Sequence, residues 1–121
     1  MINPYEAAVQ RRLTEEFIKA DGREVVLWRS VRQEDGAGGW TFGDPAPLPA
    51  QFMRLIPLRD GASVRMTADG QEVTPAYMLQ GSHGADMERW DIFELEGVRY
   101  EVVFVNENRQ YQVKGEVAHL G

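Results

Sequence analysis

The hydrophobic spacing changes once along this chain, and that change decides its fold class. Over the first twenty residues Tyr5, Val9, Leu13 and Phe17 recur every four positions, with Ala8 and Ala20 beside them. Such a recurrence draws one apolar stripe along an α-helix, and Arg11, Arg12, Glu15, Glu16 and Lys19 take the other faces. Asn3-Pro4-Tyr5-Glu6 supplies the start: a capping side chain, a proline at the first helical position, and a glutamate that can reach back. Gly22 after Asp21 supplies the stop. The spacing predicts a helix over residues 4–20 with this stripe as its packing face.

From residue 24 onward the period is two. Residues 24–32 set Val25, Leu27 and Val31 against Val26 and Trp28, as in a largely buried strand. Residues 33–47, with four glycines and two prolines, read as a long loop that holds Trp40 and Phe42. A strand over 48–56 places Leu48, Phe52 and Ile56 on one face, and Pro57 ends it. Asp60-Gly61 and Asp69-Gly70 mark turns around a short Val64-Arg65-Met66 segment. Residues 73–79 form a weaker strand interrupted by Pro75, and 80–88 a polar loop. Residues 90–95 and 98–105 flank Glu96-Gly97 as a hairpin, and 111–117 is the last strand. One helix followed by about six short strands predicts a mainly β fold, a small antiparallel β-barrel or sandwich. The chain reads as a single domain over 1–121, with the helix in 1–22 and the barrel in 23–121.

Composition excludes several function classes. With no cysteine among 121 residues, disulfide frameworks, thiolate nucleophiles and Cys-ligated zinc are all ruled out. A net charge of −6 disfavours a dedicated nucleic-acid binder and an anionic-membrane binder alike. Apolar runs such as Val25 to Trp28 are far short of the ~20 residues of a membrane helix. Met1–Gln10 lacks the pattern of a secretory signal, so a cytoplasmic site of synthesis is expected. Eleven of the thirteen basic residues are arginine, the base favoured at protein interfaces.

Candidate chemistry is sparse. Ser82, His83 and Asp86 place a hydroxyl, an imidazole and a carboxylate within five residues, but triad members ordinarily meet through the fold, and an exposed turn is the simpler expectation. His83, Asp86 and Glu88 lack metal-ligand spacing, and Gly36, Gly38 and Gly39 open no helix that could cradle a phosphate. The acidic group Asp86, Glu88, Asp91, Glu94 and Glu96 reads as the solvated side of a hairpin and its approach. No catalytic residue, metal or cofactor is expected. Trp28 and Trp90 fit core or rim positions, whereas Trp40 either anchors an interface or packs back on its own barrel. Long loops on a compact β-domain point to binding and assembly.

The order of segments resembles the head-closure, or head-to-tail stopper, proteins of long-tailed bacteriophages. Trp28-Arg29-Ser30-Val31-Arg32 leads to Gly38-Gly39-Trp40; Pro47-Leu48-Pro49-Ala50-Gln51 opens a strand that ends at Leu55-Ile56-Pro57. Trp90-Asp91-Ile92-Phe93 then precedes Gly97-Val98-Arg99-Tyr100-Glu101-Val102, and Gly115-Glu116-Val117 closes the chain. The resemblance covers residues 24–121 and departs from the family at the N-terminal helix. It implies a virion neck component: a homo-oligomeric ring, expected as a hexamer, between the portal and adaptor on one side and the tail terminator or tail tube on the other. Packaged DNA would pass or abut its channel without sequence-specific binding. By position, the loop at 57–72 (Arg59, Asp60, Arg65, Met66, Asp69) becomes the channel-loop candidate. The loop at 33–46 (Trp40, Phe42) becomes the reach to a neighbouring subunit. The rivals are another neck or tail ring, such as an adaptor or tail terminator, and a free-standing barrel with a dry pocket lined by Trp28, Phe52, Phe93 and Tyr100.

Overall fold

The computed structural model describes residues 3–34, 36–58, 63–106 and 111–120. Helix α1 spans Pro4–Asp21, with the Asn3 side chain accepting the Glu6 N–H at 2.8 Å, so the start signals act as the sequence implies. At the other end the Gly22 N–H donates to the Ile18 carbonyl at 2.6 Å. Gly22 is needed there for space rather than for a left-handed turn: its φ is −88°, and a Cβ would lie 2.2 Å from the Ile18 oxygen.

The helix does not pack on the expected stripe. Tyr5, Val9, Leu13 and Phe17 are 80%, 40%, 43% and 58% exposed, while Thr14 and Ile18 are the buried pair. An Arg54–Asp21 ion pair at 3.0 Å ties the C-terminal end to the sheet, and Ile18 lines a shallow hollow with Gly84 and Ala85. The stripe is left facing outward.

The remainder is mainly β, 44% strand against 17% helix, and it forms a curled antiparallel sheet, a half-barrel. The expected strand at 24–32 is three pieces: β1 (Arg23–Val25), β2 (Trp28–Arg29) and β3 (Arg32–Glu34). The expected loop at 33–47 contains a strand, β4 (Trp40–Phe42), paired with β3, and then β5 (Ala46–Pro47). Further on come β6 (Gln51–Pro57), the small hairpin β7 (Arg65–Met66) and β8 (Glu72–Val73), and β9 (Tyr77–Ser82). The last three are β10 (Ile92–Leu95), β11 (Val98–Val105) and β12 (Gln112–His119). Sheet order is β1-β6-β9-β12-β11-β10-β2-β5. The β10–β11 turn has φ of 52° at Glu96 and 78° at Gly97, the doubly left-handed geometry that suits a two-residue hairpin.

One segment serves both sides of this sheet. β1 pairs with β6 (Glu24↔Phe52) and β2 pairs with β10 (Trp28↔Ile92), so residues 23–29 run as a seam between strands at opposite ends of the sheet. An Arg23–Glu96 ion pair adds a further tie. Along the seam Val25 and Leu27 point inward and are fully buried, while Val26 and Trp28 face out. Met53, Leu79, Phe93, Val102, Val113 and Val117 complete the interior. In β6 the inward parity is that of Met53, not that of Phe52 as the alternation suggested; Phe52 lies outside, near Ile18. The polar stretch at 80–88 also hides a core residue, Met87, which lies against Gly115, where a Cβ would meet its sulfur at 2.5 Å. No helix among the described residues is long and apolar enough to cross a membrane.

Candidate functional site

The polar residues converge where the seam meets β10. Arg29, at the end of β2, donates from Nε and Nη2 to the two carboxylate oxygens of Asp91 at 2.9 and 2.8 Å. Asp91 is 1% exposed and also accepts the Glu88 N–H at 2.8 Å. Asp86 at 2.9 Å and Glu88 at 3.5 Å complete the shell around the guanidinium. Hydrogen bonding to Asp91, then to Asp86, outweighs desolvation and raises the Arg29 pKa above its already high ordinary value. So engaged, Arg29 is a clamp between the seam and residues 86–91. Asp91 was expected among solvated acids; a bidentate partner is what permits its burial.

Beside the clamp lies a groove of about 660 Å³, bounded by Val31, Ala68, Trp90 and Ile92. Its floor includes Glu101, 3% exposed, whose carboxylate accepts the Ala68 N–H at 3.0 Å. Burial pushes the Glu101 carboxyl pKa up, and Asp69 adds to this; the Ala68 N–H and Arg89 act in the opposite sense. Trp90 holds φ at 78°, a conformation a bulky side chain rarely adopts, with Arg89 stacked on its ring at 4.8 Å. Sequence reasoning missed this groove. Glu101 lies between inward-facing Tyr100 and Val102 on the outer parity of β11, and Ala68 of the β7–β8 hairpin lies over it.

The sequence-derived candidates separate into groups. Trp40 and Phe42 lie in β4 rather than in an open loop; their side chains, together with Arg59 and Asp60, fall outside the described residues. Arg65 binds Glu116 through two bonds of 3.2 and 3.1 Å and lies 3.8 Å over the Phe104 ring. Met66 is exposed, and Asp69 accepts the Thr67 hydroxyl proton. The described part of 57–72 is thus held against the outer wall of β11 and β12. His83 sits exposed in a turn while Asp86 joins the Arg29 shell, so Ser82, His83 and Asp86 form no triad. Among the described residues no three His, Cys, Asp or Glu side chains could share a metal ion. Phe93 and Tyr100 stack in the interior at 5.1 Å, whereas Trp28 and Phe52 face outward, so these four line no common pocket.

Chemically, the clamp and the groove offer recognition surfaces: apolar walls, one buried acid, and an acidic lip at Asp86 and Glu88. The other notable surface is the ridge of α1. No protein-family model matches this chain, and no curated protein matches it.

Proposed function

We propose that the protein is a structural neck component of a long-tailed phage, a ring that closes the DNA-filled head and presents the surface to which the tail attaches. The observation that carries this reading is the outward-facing ridge of α1 on a small barrel, together with exposed Val31, Val64 and Met66 elsewhere on the wall. Contiguous exposed apolar side chains on a β-domain are costly unless neighbours cover them. The mainly β fold and the order of its segments agree with what the resemblance implies. The helical share is small, which favours head closure over a helix-dominated adaptor. In this role the barrel performs no catalysis and holds no cofactor. Its net charge of −6 suits a channel that passes DNA without gripping it.

Deletion of the gene from the parent phage, followed by electron microscopy of the lysate, tests the reading. Free tails beside heads that have lost their DNA are the expected result. Filled heads would move the protein to a tail position, and complete virions would leave the free-standing binding barrel.

A further inference from the structure

A pocket of about 280 Å³ opens at the β1 end of the seam. Met53, Leu55, Leu95 and Tyr100 line it, and the exposed Asp21, Arg23 and Glu96 stand at its mouth. It exists because the seam joins β10 at one end. Trp28 pairs with Ile92, whereas β1 pairs with β6 and, among the described residues, forms no ladder with β10. The Arg23–Glu96 ion pair crosses the mouth; both side chains are largely exposed, so the pair contributes little to stability. The helix reaches this mouth directly. One residue, Gly22, separates the end of α1 at Asp21 from the start of β1 at Arg23. The joint has no slack, since a Cβ at Gly22 would lie 2.2 Å from the Ile18 oxygen. Its flanking side chains reach different walls, Asp21 to Arg54 on β6 and Arg23 to Glu96 in the β10–β11 turn. The helix itself is lightly seated: it buries Thr14 and Ile18, with the shallow hollow beside them.

We infer that the α1–β1 joint is a gate on this pocket and that α1 is the lever that works it. When α1 lifts from β6 and β9, Arg23 leaves Glu96 and the β1 end of the seam parts from β10. Trp28 and Ile92, the paired point between seam and β10, form the pivot. The outward ridge of Tyr5, Val9, Leu13 and Phe17 then serves as a handle. Anything that binds the lifted helix more tightly than the seated one favours the open pocket. By linkage, anything that fills the open pocket lifts the helix with the same free energy. The gate is independent of the ring proposed above.

The absence of cysteine gives a direct readout, since an introduced thiol is the only one in the chain. Met53→Cys places it in the pocket and Val113→Cys in the interior at β12, with circular dichroism as the check on folding. A bulky thiol reagent should modify Met53→Cys at least about tenfold faster than Val113→Cys, because the gate opens below the cost of global unfolding. Adding Ile18→Ser, which unseats α1, should speed both by about tenfold or more, since the helix is lifted in either open form. Adding Val117→Ala should speed Val113→Cys alone. Adding Leu13→Ser should change either rate by less than about twofold. Equal rates at the two thiols would overturn the gate. A Met53→Cys rate indifferent to Ile18→Ser, while the Val113→Cys rate rises, would overturn the lever. Hydrogen exchange on the unsubstituted chain tests the same coupling. The protected amides of α1 and β1 should share one opening with one denaturant slope, and separate openings would overturn it.

Discussion

At the scale of single residues, two buried carboxylates solve the same problem in different ways. Asp91 is charge-matched by a bidentate arginine, so removing it leaves Arg29 only the more exposed Asp86 and Glu88 and takes the acceptor from the Glu88 N–H. Asp91→Ala should destabilise the fold by about 1–3 kcal/mol, read as a lowered denaturation midpoint with an unchanged slope. Arg29→Lys should lose part of that, since an ammonium cannot make the paired bonds. Glu101 has one backbone N–H and a groove. Its pKa is raised by burial, so the folded state binds its proton more tightly than the unfolded chain does. Stability from this group is therefore full below the ordinary glutamate pKa and declines as pH rises through the folded value. Glu101→Gln keeps an acceptor for Ala68 and removes the titration. Its midpoint should exceed that of the wild type at neutral pH, with the advantage vanishing in acid; an identical pH profile for both proteins would refute the assignment.

At the scale of elements, the helix and the β10–β11 hairpin were legible because local rules govern them. Asn3, Pro4 and Gly22 act within one turn, and Glu96-Gly97 selects its own geometry. Which face of the helix would be buried was not legible. Four large apolar residues outvote Thr14 and Ile18 in any periodicity argument, but the surface that receives Ile18 is built from residues 51–52 and 82–85, far away in the sequence. The same limit hid β4: residues 33–47 are rich in glycine, and their pairing comes from β3, upstream of the turn. The groove was least legible, because its walls come from three segments that only the folded sheet assembles. Gly22→Ala tests the need for space at the helix end. The new Cβ would collide with the Ile18 carbonyl and cost about 1–3 kcal/mol, measured by chemical denaturation. Leu13→Ser, on the ridge, should change monomer stability by less than about 0.5 kcal/mol.

At the scale of the whole molecule, the seam sets the pattern of opening. β12 is flanked along its length by β9 and β11, whereas residues 23–29 make short pairings that change partner midway. Local opening follows the density of such bonds. In hydrogen exchange the amides of 23–29 should exchange well before those of 113–117; equal protection would mean that the barrel opens only as a unit. The seam also carries a consequence for biosynthesis. Trp28 leaves the ribosome long before Ile92, its partner across the closure, so the first barrel strand to be made waits through most of synthesis for that partner. During that interval Val25 and Leu27 have no finished interior to enter. Completion of the wall waits for nearly the entire chain, a delay characteristic of folds whose defining contacts join distant parts of the sequence.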